Sequence, residues 1–472
     1  MINIAMLMEQ LKRFWPIILF TVLGYLLLVV LPVYIHAGGG DYQKIAGIMV
    51  EILSMRNPFM MAVTILVPFG TAMALFSYLF NERATVIFWS FSDNKNQLFW
   101  TNVLAGLILS LVPLIILSVA FFVGVRQPGA VELPIGLFPR GLTVGSLINP
   151  FPVVIGFFLR AVVSFAFYFA LFLLVVTISG NGLTALLLSI TLPVLPALLY
   201  KLIMQIAYIY VVGLDASNTL GIQTVFEHTN PLIWYWGSVY PGWAIHFIIF
   251  IVSTVVILIV SNVCFRIRKI DRTGEPVVFE PLKKVLIFLL SFAGMVVMGR
   301  FFMTLTTARL FMYCGFAIGF AVSFYISYII FDRNFNVLYK YEAIIPYIIT
   351  ATCLYIVLML VMLFGTRFYT HNIPQQQAVT GVFLSSESPW TDDDPFITNP
   401  EVIAQAISFH ERILDDMRGD TFWESISGGG RQFIDDGGQY LYLAYQLRDG
   451  GVMFRRYALS GDFIERWGTG LR

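Results

Sequence analysis

Charge is scarce in this chain, and cysteine scarcer still. Charged residues make up 12% of the sequence, against about a quarter in an ordinary soluble domain, so most side chains must face lipid or one another. The formal charge of +1 averages over parts that differ, and nothing in it points to a nucleic-acid partner. Only three cysteines occur, Cys264, Cys314 and Cys353. All lie inside apolar stretches, which excludes a disulfide framework and a zinc motif. No Gly-x-x-x-x-Gly-Lys-Ser/Thr run is present, so the chain cannot cradle ATP by the P-loop route. Gly428-Gly429-Gly430 is followed by Arg431-Gln432 and reads as a flexible loop. No cleavable signal is evident, because Lys12 and Arg13 precede a full-length span with no small-residue cleavage site behind it. The outer loops hold no acid pair or histidine-carboxylate set at catalytic spacing, which weighs against an enzyme acting on lipid-linked substrates.

What the chain does have is apolar length. Nine stretches can each cross a bilayer: Trp15–Tyr34, Phe59–Phe80, Phe99–Val123, Phe151–Thr177, Leu183–Val212, Tyr240–Cys264, Val285–Thr304, Leu310–Phe331 and Ile344–Phe364. Lipid cannot satisfy backbone polar groups, so each is expected as a helix. The fold class is then an all-α polytopic membrane protein of about nine transmembrane helices with a small C-terminal α+β soluble domain. Residues 1–14 set Ile4, Leu7, Met8 and Leu11 to one side and read as an amphipathic helix on the membrane surface. Residues 15–264 form a six-helix core, 265–284 a basic linker whose six cations anchor lipid headgroups, 285–364 three further helices, and 365–472 the soluble domain.

Lysine and arginine mark the cytoplasmic side. With the N-terminus inside, the inner segments hold twelve of them and the outer loops five. An odd number of crossings then puts the C-terminal domain outside the cell membrane. Its nine arginines, absent lysine and fifteen acids agree with that side.

Between the second and third spans runs Glu82-Arg83-Ala84-Thr85-Val86-Ile87-Phe88-Trp89-Ser90-Phe91-Ser92 to Lys95, a charged start and an aromatic stretch too short to span. It reads as a membrane-edge helix that either docks a cytoplasmic partner or floats at the interface. Gly180-Asn181-Gly182 is a tight turn, and Val225–Trp243, with Asn230-Pro231 to start and Pro241-Gly242 to stop it, reads as a re-entrant helix.

The order of surface helix, two spans, aromatic internal loop and then Asn102-Val103-Leu104-Ala105-Gly106-Leu107 resembles the ABC-2-type permeases, membrane subunits of a class of ABC transporters. More narrowly, the chain is similar to the permeases of the antibiotic-inducible acetoin-transport operon of Firmicutes. The matching positions are Glu82-Arg83-Ala84, Ile87-Phe88-Trp89, Ser90-Phe91-Ser92, Lys95 and Leu98-Phe99, without the acid and the proline of that family's loop. Further matches are Asp332-Arg333-Asn334-Phe335-Asn336-Val337, Asn399-Pro400-Glu401-Val402-Ile403, Phe409-His410-Glu411-Arg412-Ile413-Leu414, Tyr445-Gln446-Leu447 and Arg455-Arg456-Tyr457.

The resemblance implies two permeases, identical or related, above two ATPase subunits that hold ATP and magnesium, with no cofactor on this chain. It implies that Glu82 to Lys95 is the coupling helix. Glu82 and Arg83 would pair charges with the ATPase, and Phe88, Trp89 and Phe91 would be apolar anchors.

Charge deep in a span carries a functional hypothesis by default. Arg160 lies deepest, about 14 Å into the fourth span at the helical rise; it either lines a translocation path or pairs with a backbone carbonyl. Lys201 and Arg300 are nearer span ends and snorkel. Pro193 and Pro196 should bend the fifth span beside such a path, with neighbours or water satisfying the freed carbonyls.

In the tail, Asn399 caps a helix opened by Pro400 and Glu401, with Val402, Ile403, Ala406, Ile407, Ile413 and Leu414 on its apolar side. Tyr440–Leu447 and Val452–Leu459 form a hairpin around Arg448-Asp449-Gly450-Gly451, which needs the helix and residues 378–385 to pack on. Asp392-Asp393-Asp394 lacks calcium-loop spacing and reads as a solvated linker; His371 and His410 have no companions at metal spacing, so no metal is expected. The expected function is a permease that moves an amphipathic small molecule or peptide. The alternative is a membrane receptor or regulatory subunit that senses an envelope ligand through its outer domain.

Overall fold

A computed structural model describes residues 2–32, 35, 52, 57–90, 94–125, 151–210, 213–214, 225, 228–231, 243–305, 309–332, 344–364, 372–385, 394–417, 439–448 and 451–459. It divides into two compact units, one of residues 1–197 and 223–283, the other of 198–222 and 284–472. The division falls inside the expected linker, and residues 198–222 group with the C-terminal half.

The first unit holds α1 (Ile4–Tyr25), α2 (Pro58–Phe76), α3 (Glu82–Ser90), α4 (Lys95–Val125), α5 (Phe151–Ile178), α6 (Gly182–Thr191), the start of α7 (Leu195–Tyr210) and α8 (Trp243–Ile267). Helix α5 is central, against α2, α4 and α8, and its Phe157, Phe165, Tyr168, Phe169 and Phe172 are fully buried. Gly106 of α4 lets α4 approach: a Cβ there would sit 2.3 Å from Cζ of Phe169. The outward sides are apolar too, with Ile248, Ile249, Val252, Val255 and Val256 of α8 all exposed. So continuous an apolar surface needs a cover, and a bilayer supplies one.

Two expectations change. Residues 4–14 are not a separate surface helix but the first turns of α1, which continues through Leu26–Val30 as a π-helical segment. The reason is packing. Met6, Leu7 and Leu11 lie against the core, Gln10 is buried, Asn3 caps the amide of Met6 at 3.1 Å, and its own amide donates to Thr101 Oγ1 at 3.1 Å. Among the described residues seven helices are long and apolar enough to cross a membrane, or eight with a bent pair. The ninth expected span is helical over Ile344–Phe364. The second change is in the linker after α8, which is only partly a headgroup anchor, because Arg268, Val277 and Val278 are buried in the protein.

In the second unit lie the rest of α7, α9 (Glu280–Leu305, from Lys284 on), α10 (Arg309–Asp332), α11 (Ile344–Phe364) and the C-terminal domain. Helices α9 and α10 meet along glycines. A Cβ on Gly319 would lie 2.5 Å from the Gly294 carbonyl oxygen, and one on Gly315 2.8 Å from that of Met298. Without a hydrophobic force between helices in lipid, such close backbone approach and its dispersion contacts hold them together. Gly319→Leu should therefore destabilise this unit by about 1–3 kcal/mol, read as a lowered unfolding temperature in nanodiscs. Gly156→Ala, where a Cβ meets nothing within 4 Å, should lower nothing.

The C-terminal domain is a three-stranded antiparallel sheet in the order β1 (Val379–Ser385), β2 (Gln439–Leu447), β3 (Val452–Leu459), with α12 (Pro400–Met417) packed on it. The hairpin and the helix follow the sequence expectation, and Val379–Ser385, expected as a segment for the hairpin to pack on, pairs with β2 as the third strand. Asn399 Oδ1 accepts the Glu401 amide at 3.0 Å, and Val402, Ile403, Ala406, Ile407, Ile413 and Leu414 all join the domain core. The outer edge of β3 is held by the chain leaving α7: the Arg456 amide donates to the Gly213 carbonyl at 3.0 Å. Gly213 has φ +82° and lies under the Tyr457 ring, a position only glycine fills without strain.

Candidate functional site

The corner between α2 and α3 is built by two side chains, Asn81 and Thr85. Helix α2 tightens into a 3-10 turn over Ser77–Phe80 and stops at Asn81, whose backbone is extended. Asn81 Oδ1 then accepts the Ala84 amide at 3.3 Å, capping α3. Buried Thr85 donates to the carbonyls of Tyr78 and Asn81 at 2.8 and 2.9 Å, which ties the short helix to the end of α2.

Helix α3 is two-sided. On its inner side Phe88 stacks on Tyr78 at 4.4 Å between ring centroids, and Trp89 meets the edge of Phe265 at 6.1 Å, with Lys95 Nζ 3.5 Å above the indole. Phe265 is fully buried and also touches Phe76 and Phe99. On its outer side Glu82 and Arg83 are exposed, as are Val86 and Ile87, at 50% and 51%. The aromatic residues expected as anchors for a partner are thus engaged within the chain, and the exposed apolar pair is Val86 and Ile87. Phe91 lies outside the described residues.

Beneath this aromatic key lies a residue the sequence reading passed over. Arg268, 3% exposed at the end of α8, donates through Nη1 to the carbonyls of Thr177 (2.9 Å), Ser179 (2.8 Å) and Val176 (3.3 Å), and through Nη2 to that of Leu79 (2.7 Å). These are the orphan carbonyls at the C-termini of α5 and of the turn after α2, where a cation is favoured by the helix dipoles. Burial pulls its pKa down to about 10, so it stays charged at neutral pH. Nothing in local composition separates Arg268 from Arg266 and Lys269, both exposed; only tertiary packing does.

The chain after Arg268 clasps the Gly180-Asn181-Gly182 turn. The Val278 amide donates to the Ile178 carbonyl at 2.9 Å and the Gly274 amide to the Gly180 carbonyl at 2.8 Å, while Asn181 Oδ1 caps α6 through the Thr184 amide at 2.8 Å. A Cβ on Gly180 would come 2.1 Å from the Glu275 carbonyl oxygen. The exposed Arg272–Glu280 pair, 3.4 Å apart, adds little.

Toward the other end of α5 the fifth expected span is broken. Helices α6 and α7 are separated at residues 192–194, with a bend of 59°; Pro193 sits in the break and Pro196 in the first turn of α7. The carbonyl freed at Pro193 is taken by Asn230, whose Nδ2 donates to it at 3.2 Å while its Oδ1 accepts the Tyr168 hydroxyl. Asn230 is 4% exposed and lies between helical residues 228–229 and 231; most of the expected re-entrant helix lies outside the described residues. Beside this junction is a cavity of about 370 Å³ between α2, α5 and α6. Among the described residues its wall is apolar apart from Tyr168, Asn230 and Ser189, and it is met by Pro193 but not by Arg160 or Pro196. Arg160, half-buried, donates from Nε to the Gly156 carbonyl at 3.1 Å. Lys201 is exposed, as a snorkelling cation is.

In the C-terminal domain His410 is fully buried. Its Nε2 lies 2.5 Å from the Tyr457 hydroxyl and its Nδ1 3.2 Å from that of Tyr445. Among the described residues no three His, Cys, Asp or Glu side chains group as a metal site. Compared with known protein families, with curated proteins and with solved structures, the chain matches none.

Proposed function

We propose that this chain is the membrane subunit of an ABC-2-type ABC transporter. It works with a second permease, identical or related, and with separate ATPase subunits that carry ATP and magnesium, and it moves an amphipathic small molecule or peptide across or out of the membrane. The observation that supports this most is α3: a short capped helix, keyed by Phe88 and Trp89 onto Tyr78 and Phe265, that still offers Glu82, Arg83, Val86 and Ile87 outward. In this reading the offered side meets the ATPase on the cytoplasmic side. The aromatic key passes nucleotide-driven movement to the ends of α2, α5 and α8, which Arg268 binds together, and the C-terminal domain lies outside the cell. Arg160 and the Pro193 break belong to the walls of the path.

The test is ATP hydrolysis by material purified through a tag on this chain, in lipid nanodiscs. Val86→Asp plus Ile87→Asp puts two charges into an interface core, where each anchor lost costs about 2 kcal/mol. Co-purifying hydrolysis should fall at least tenfold while thermal unfolding of the chain stays unchanged. A well-folded wild-type chain with no accompanying ATPase would overturn the reading. The receptor alternative would then lead, favoured by the Gly213–Arg456 bond that joins the soluble sheet to the chain leaving α7.

A further inference from the structure

The geometry points to the cavity between α2, α5 and α6 as a binding site for an uncharged, single-chain amphipath with one hydroxyl-type head, entering sideways from the bilayer. Its volume of about 370 Å³ lies within the range of small-molecule pockets. Its rim is formed by Leu66, Ile190 and Leu186, which are 62%, 63% and 41% exposed and belong to the apolar surface that lipid covers. Among the described residues no ionisable group other than the Tyr168 phenol is in its wall, so a carboxylate or ammonium head would enter without a counter-charge.

At the inner end Tyr168 and Asn230 satisfy each other and the Pro193 carbonyl. Ser189, one helical turn before Pro193 and 5% exposed, has a buried hydroxyl with no hydrogen-bond partner among the described residues. A hydroxyl in such surroundings favours any ligand that completes it. An alkanol does: its hydrocarbon chain fills the space against Phe69, Phe172 and Ile65, and its hydroxyl can both donate to and accept from the Ser189 hydroxyl once that buried side chain turns toward the space. This goes beyond the ATPase reading and does not depend on it, because binding is measured on the full-length chain alone.

The experiment is photolabelling in nanodiscs with a dodecanol carrying a diazirine in its chain, mapped by peptide mass spectrometry. Label should concentrate in residues 61–69 and 186–194 and be displaced by dodecanol well before dodecane, dodecanoate or dodecylamine. Ser189→Ala should weaken dodecanol competition about three- to tenfold, and Ser189→Thr, which keeps the hydroxyl, should restore it. Label spread evenly over α2, α6 and α8, or equal competition by dodecane or dodecanoate, would overturn the proposal. So would an unlabelled cavity together with disulfide crosslinking of Leu66→Cys between two copies, which would assign the face to self-association.

Discussion

Replacing Arg268 with methionine should lower the stability of the first unit by about 3 kcal/mol or more. The change deletes a buried cation that four main-chain oxygens share. Each buried acceptor left without a donor costs about 1–3 kcal/mol, and the favourable meeting of a cation with helix C-termini is lost as well. The four terms are not additive, because water can reach some of the carbonyls once the side chain shortens. Arg268→Lys should recover less than half of the loss: a single ammonium cannot span the gap between Leu79 and Ser179 as the guanidinium fork does. The measurement is hydrogen exchange in nanodiscs, read at the last turn of α5 and at the corner from Ser77 to Thr85. Faster exchange at both sites is expected. Unchanged protection at the corner would mean that Arg268 is not what joins α2 to α5. Under the transporter reading the same variant should keep its ATPase attached, since the exposed side of α3 is untouched, while the link from α3 to the spans loosens.

Acid should loosen the C-terminal domain, through His410. Burial, and then the neighbouring Arg455 charge, lower its pKa from the ordinary 6.5 to about 4. The sign follows directly. Above pH 6.5 the imidazole is neutral in the folded and unfolded chains, and its buried contacts with Tyr445 and Tyr457 contribute fully. As pH falls through 6.5 toward 4 the unfolded chain takes up a proton that the folded one refuses, so stability is lost across that window. At about 1.4 kcal/mol per unit, the loss totals about 3 kcal/mol. It should appear as a rise of about two orders of magnitude in the opening equilibrium of β2 and β3 by hydrogen exchange. The charged and titratable neighbours are Arg455 on β3, Glu411 on α12, and the two phenols; burial raises the pKa of Tyr445, so it stays protonated throughout. His410→Gln retains hydrogen bonding without titrating in the window, and its exchange at each pH provides the baseline. Equal pH dependence in both proteins would remove His410 as the cause.

The contrast between the opening of α12 and Arg268 shows what a linear chain reveals. Local signals transferred well wherever one segment supplies its own partners. Asn399, Pro400 and Glu401 open α12 by capping that needs no other element. The spacing of Ile403, Ala406, Ile413 and Leu414 defines a helix face that any core would bury, and β2 and β3 pair as the hairpin that their adjacent runs announced. Length and apolarity likewise announced the spans, because a bilayer imposes the same demand on every crossing segment. The proline pair announced a break in the fifth.

What pairs distant segments was invisible in order alone. Arg268 meets Leu79 across 189 positions, and Asn230 meets Tyr168 across 62; local order marks Arg268 as one cation among several and Asn230 as a helix start, and neither partner shows until the helices are packed. The aromatic run of α3 suggested contacts for a partner, yet Phe88 and Trp89 turn inward because Tyr78 and Phe265 reach them first. The first fourteen residues suggested a surface helix, yet they continue α1 because Met6, Leu7 and Leu11 find a core to cover. Amino-acid order therefore determined the class of this protein, its apolar helices, its bend and its small C-terminal domain, through demands that each segment meets by itself. Tertiary structure decided which polar groups are buried and which apolar groups remain on offer, since those depend on what packing leaves unsatisfied.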